Sequence, residues 1–169
     1  MRWKDDPARR ALFSLYADAD ALVADATCAC TPGSETATAE PPGPGDRAER
    51  VPCCHFGVTG REPYPTAVEL AEVEYALGMR GQRKKQTRRL PLVDETRSCP
   101  LLSEDGRCTI YASRPLGCRT FFCDRGDGPP RRARQPLLEI ARRVADLSAR
   151  AFPRDPRPRP LTGALKRMA

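Results

Sequence analysis

Four cysteines stand within 25 residues, in Cys99-Pro-Leu-Leu, Gly106-Arg-Cys108-Thr-Ile-Tyr111 and Arg114-Pro-Leu-Gly-Cys118-Arg-Thr-Phe-Phe-Cys123. Four more, Cys28, Cys30, Cys53 and Cys54, precede them, so the chain carries two groups of four. A thiolate is a soft anionic ligand, and several meeting at one point repel one another unless zinc or an iron-sulfur cluster holds them. All eight are expected as metal ligands, enough for two four-ligand sites. The spacing is not that of a zinc finger or ribbon, whose cysteines come in pairs two to four residues apart. Only Cys118 and Cys123, with four residues between them, approach it. The side chains of adjacent Cys53 and Cys54 diverge, which suits two neighbouring sites or one ligand with one packed thiol. That pair suggests polynuclear or paired binding.

Other chemistry-bearing residues surround the cysteines. His55, the only histidine, adjoins the pair and could complete a site with its imidazole, although a place beside the centre or on the surface is the plainer expectation. Tyr111 and Arg119 sit between ligands and are expected to contact the bound centre, hydrogen-bonding its sulfurs and offsetting their charge. Arg114-Pro115 reads as structural, the proline fixing the turn ahead of Cys118. Phe121 and Phe122 are expected to shield the site from water. A nucleophilic cysteine would need a base, and one histidine next to a cysteine pair is a thin basis for it.

Helices must deliver these residues. Asp6-Pro7 is a helix start, and Leu12, Leu15, Tyr16, Ala19, Leu22, Val23 and Ala26 recur at helical spacing, a run that would lead to Cys28. Residues 31 to 50 lack apolar periodicity and are dense in Pro, Gly, Thr and Glu, which predicts a flexible loop. After Pro65, Thr66 and Glu69 form a capping box, with Leu70, Val73 and Leu77 on one face up to Gly78. Leu90 to Val93 reads as a short strand. A last helix is expected from near Pro136, burying Leu137, Ile140, Ala141, Val144, Leu147 and Ala151 before Pro153 stops it. The organisation predicted is a cysteine-cluster domain over 1–125, a packing helix over 126–152 and a disordered tail over 153–169.

Composition sets the frame. The chain has 169 residues, 40% hydrophobic and 6% aromatic, a thin core for that length, so something besides burial must help it fold. No leader-like start and no run of 18 apolar residues is present, so a cytoplasmic protein that does not enter membranes is expected. In that reducing compartment the cysteines are ligands or redox groups rather than a disulfide framework. The net charge of +7 comes from arginine: only Lys4, Lys84, Lys85 and Lys166 are lysine, a bias that GC-rich genomes produce. The basic run over 80–89 has no interleaved aromatic and no accompanying motif, so nucleic acid is not an expected partner.

The string from Cys99 to Cys123, with Ile110-Tyr111, Arg114-Pro115 and Cys118-Arg119 in order behind a Cys-Cys pair and a Thr-x-x-Glu helix, resembles the bacterial YkgJ, or CxxCxxCC, cysteine-cluster family. The resemblance spans about Cys28 to Cys123. The family's compact CxxCxxCC is here Cys28-Ala-Cys30, an interruption of 22 residues, and then Cys53-Cys54. The resemblance implies chelation of zinc or iron. Related patterns occur in flagellin lysine methylases, which would imply iron-sulfur-dependent modification of a protein, yet this chain has no glycine-rich cofactor motif. The expected fold is mainly α: about three helices around a cysteine cluster, little or no sheet, stabilised by metal. The expected function is a zinc- or iron-sulfur-binding protein without chemistry of its own. The alternatives are an enzyme or accessory of lysine modification, and a basic module for RNA or an acidic protein partner.

Overall fold

The computed structural model describes residues 3–24, 26, 54–79, 98–103, 108–121 and 130–168, and these are mainly helical. Helix α1 (Pro7–Leu22) starts where the sequence predicts: Ala8 N donates to Asp6 Oδ1 at 2.8 Å, with Pro7 in the first turn. It ends at Leu22, before Ala26, and Cys28 lies outside the described residues. A single turn, α2 (Phe56–Thr59), closes at Gly60, whose φ of 65° is left-handed and natural to glycine. Helix α3 (Ala67–Met79) carries the predicted capping box, with Thr66 N donating to Glu69 Oε2 at 2.8 Å. Short α4 (Leu116–Thr120), long α5 (Arg134–Ala151) and α6 (Leu161–Met168) complete the order.

Among the described residues there is no sheet, only the isolated antiparallel bridges His55–Ser98 and Leu102–Cys108. The expected loop at 31–50 and strand at 90–93 lie outside the described residues.

Two apolar cores result, divided by α3. One is purely helical: Leu12, Leu15, Tyr16 and Ala19 of α1 meet Ile140, Val144 and Leu147 of α5, with Val68 and Leu116 between. The other gathers Leu70, Val73 and Leu77 from the opposite face of α3 with Phe56, Cys99, Leu101 and Ile110. Helix α5 forms as expected and buries Ile140, Val144 and Leu147, but Ala141 and Ala151 face solvent. Ser148 takes the inner position, its Oγ accepting from Val68 N and donating to Pro156 O, both at 3.3 Å.

The expectation of a disordered tail over 153–169 gives way to an ordered one. Arg159 N donates to Pro65 O and Leu161 N to Pro63 O, so the proline-rich stretch runs alongside residues 63–65. Glu62 Oε1 then accepts from Thr162 N at 2.7 Å, capping α6 from a distant part of the chain. Leu161, Ala164 and Leu165 are buried in the second core.

Two carboxylates on α3 are buried and satisfied. Glu72 accepts from Trp3 Nε1 (2.9 Å), Arg9 Nε (2.7 Å) and Ser113 Oγ (2.7 Å), joining three segments at one point. The hydrogen bond to Glu72 raises the Arg9 pKa further above its already high value. Glu69 also accepts from Leu116 N (2.7 Å) and from Tyr16 OH (3.3 Å). Burial, then the nearby Glu69 charge, pushes the Tyr16 phenol well above its usual range, opposed by Arg119.

Candidate metal centre

The short His55–Ser98 bridge is what joins the two cysteine groups. Cys99 N donates to Cys54 O at 2.7 Å, and the His55 ring Nδ1 lies 3.2 Å from Ser98 Oγ. The next bridge, Leu102–Cys108, with Thr109 N and Oγ1 both donating to Leu101 O, folds Cys108 back beside Cys99. Cys118 enters on the first turn of α4, its N–H held by Pro115 O at 2.9 Å. Helix α4 lies tight on the chain at Pro63, where a Cβ on Gly117 would come within 3.2 Å of the proline ring.

These four cysteines line one cavity of about 240 Å³. Its other walls are largely apolar, with Phe56, Leu101, Ile110, Phe121 and Leu161, and Arg61, Arg114, Tyr111 and Glu62 add the polar groups. Cys99 is buried, while Cys54, Cys108 and Cys118 are half-buried. Among the described residues no three His, Cys, Asp or Glu side chains converge closely enough to hold one ion. The thiols are distributed around a space rather than drawn to a point. The two sequence groups are thus mixed: Cys54 of the first stands with Cys99, Cys108 and Cys118 of the second. Cys28, Cys30, Cys53, Cys123 and Phe122 lie outside the described residues, as does the basic run from Arg80.

The residues expected to support the centre divide differently from the sequence reading. Tyr111 and Phe121 line the cavity. Arg119 does not: its Nε donates to Arg114 O (2.9 Å), Nη1 to Asp20 Oδ2 (2.6 Å) and Nη2 to Ala112 O, and its guanidinium lies 4.2 Å from the Tyr16 ring centre. Those contacts pin α4 to α1, so Arg119 is a fold residue. Arg114, read as part of a turn, lines the cavity with its guanidinium 4.0 Å from the Tyr111 ring centre. His55 is paired with Ser98 and is not among the lining residues. Arg61, 5.2 Å from the Phe121 ring centre, and Leu161 are further wall residues that sequence reasoning did not single out. The apolar spacing of Leu161, Ala164, Leu165 and Met168, at i, i+3, i+4 and i+7, is the signal that could have found the last of these.

Residues 51–132 match the model of the CxxCxxCC family, described as a "Putative zinc- or iron-chelating domain". The match includes Cys53, Cys54, Cys99, Cys108, Cys118 and Cys123, and begins after Cys28 and Cys30. No curated protein and no solved structure matches the chain.

Proposed function

We propose, from the match of residues 51–132 to the CxxCxxCC model of a zinc- or iron-chelating domain, that this protein binds a polynuclear metal centre in the cysteine-lined cavity. The carrying observation is that cysteines from both sequence groups line the same space. Soft thiolates suit zinc or iron-sulfur clusters and disfavour magnesium or calcium, which take oxygen ligands. A single tetrahedral zinc would draw four sulfurs to about 2.3 Å from the ion and so to about 3.8 Å from one another. A cavity of about 240 Å³ lined by four cysteines has room for a larger, iron-sulfur type of centre.

In this reading Cys54, Cys99, Cys108 and Cys118 are ligands, and Cys53, Cys123, Cys28 and Cys30 complete the donor set. Such a centre would supply electron transfer or redox sensing. The chain's own residues hold the thiols apart, exclude water with Phe56, Leu101, Ile110 and Leu161, and couple metal binding to folding. The test is elemental analysis and absorption of protein purified without oxygen. Iron with acid-labile sulfide and a band near ~400 nm, as thiolate-bound iron-sulfur centres give, supports the reading. One zinc per colourless chain would replace it with a closed structural site, and protein free of both metals would remove it.

A further inference from the structure

Among the described residues, the cavity lining carries more positive than negative side-chain charge. Of its lining residues Arg61 and Arg114 are cationic and Glu62 is the carboxylate, and Glu62 Oε1 is already committed to Thr162 N and Oγ1. Among the described residues, Arg114 Nε is the buried side-chain nitrogen or oxygen atom without a hydrogen-bond partner. A charged donor left unmade in an apolar wall is costly, so its partner belongs to whatever fills the space. Thiolates bound to metal carry net negative charge in the same cavity, and sulfur accepts hydrogen bonds from such donors.

We infer that Arg114, and not Arg119, is the positioning residue of the metal centre, donating its Nε–H to a ligand sulfur while its guanidinium offsets the charge of the thiolates. This rests on the metal-centre reading above. The packing of Arg114 over Tyr111 holds the guanidinium plane in place, and the carbonyl of the same residue accepts from Arg119 Nε. The two arginines therefore act in series: Arg119 fixes the backbone at residue 114, and Arg114 faces the cavity.

The experiment is competition between zinc-loaded protein and a chromogenic chelator, run on wild type, Arg114→Gln, Arg114→Lys and Arg119→Gln, with folded fraction followed by circular dichroism. Loss of a side chain that orients or balances metal ligands costs 10–100-fold in metal affinity. Arg114→Gln is expected to weaken zinc binding at least about tenfold, by the same rule. Arg114→Lys, which keeps the charge and lacks the Nε donor, should fall between Gln and wild type. Arg119→Gln should lower Tm while folded protein keeps wild-type affinity. Affinity of Arg114→Gln within about twofold of wild type, or equal weakening by Arg119→Gln, overturns the assignment. Should Arg114→Gln fail to fold, the wild-type Arg114 Nε–H nitrogen resonance decides: it must shift on zinc loading. A shift caused by acetate in the metal-free protein, but not by zinc, would assign the donor to a free anion and overturn the inference. Wild type that binds neither zinc nor iron removes the centre itself, whereas metal binding indifferent to Arg114 removes only this residue's role.

Discussion

The two cores of this protein are built on different terms. The helical core between α1 and α5 is closed by aliphatic side chains and Tyr16, with Trp3 and Phe152 packed against it and Leu12 and Ala19 fully buried. The cysteine core has one long helix face, then bridges and single turns, and four of its members are the lining cysteines. The first needs nothing from outside the chain. The second surrounds a space of about 240 Å³. Regular helices make their own backbone hydrogen bonds, whereas the irregular segment depends on a few contacts between distant residues, such as Cys99 N to Cys54 O. A fold of this kind separates a regular helical half from a cysteine-lined half, with α3 as their shared wall.

Removing the metal should break the symmetry between the cores most strongly. Chelator-treated protein is expected to lose amide-exchange protection at Ile110 and Leu165 while Leu15 and Val144 keep theirs, because binding energy is folding energy only for the half that supplies ligands. Uniform loss across both halves would show that the cores fold as one. Cys118→Ser and Cys108→Ser should each reproduce this pattern and reduce metal content, and full retention of metal in either would remove that cysteine from the donor set.

The next largest effect should come from α3 itself. Glu72→Ala leaves Arg9, Trp3 and Ser113 without their shared acceptor, and breaking a buried ion pair on one side costs about 3 kcal/mol. Chemical denaturation should register that cost, with metal affinity of the folded fraction unchanged. Leu161→Ala should cost about 2 kcal/mol at the low end of buried leucine truncations, and here the loss should appear in the cysteine core. Metal release from this variant should quicken, which an exposed tail would not cause.

The smallest effect concerns alkaline pH. The Tyr16 phenol has its folded pKa raised above the ordinary 10.0, so the fold favours the neutral form. Its contribution is fully present below pH 10 and is lost as pH rises through the folded value. Tyr16→Phe should therefore flatten the alkaline fall in stability, at a cost near ~0.5 kcal/mol at neutral pH for the long hydrogen bond to Glu69. An unchanged alkaline limb would remove Tyr16 as its source.

What the sequence disclosed follows the same division. The Asp6-Pro7 start and the Thr66–Glu69 box are local signals read from three or four neighbouring residues, and both stand in the structure. The cysteines pointed to metal binding, but their grouping along the chain did not disclose that Cys54 and Cys99 stand side by side, joined by the Cys99 N–Cys54 O hydrogen bond. Arg114 and Arg119 are five residues apart, and nothing local says which one faces the cavity. The answer depends on Asp20, a residue 99 positions away that takes the Arg119 guanidinium. Prolines at 153, 156, 158 and 160 suggested a tail, and the partners that order it, Glu62, Pro63 and Pro65, are about 100 residues upstream.

The capped helix α6 also orders events in time. Leu165 lies 47 positions beyond Cys118, and at about 5–20 residues per second a ribosome takes roughly 2–10 seconds to travel between them. Every lining cysteine is therefore synthesised before α6, which docks through Leu165 and walls the cavity with Leu161. In the metal-centre reading proposed above, that interval is when metal would meet the thiols before Leu161 covers them. Once α6 docks, Leu161 closes one wall of the cysteine-lined cavity.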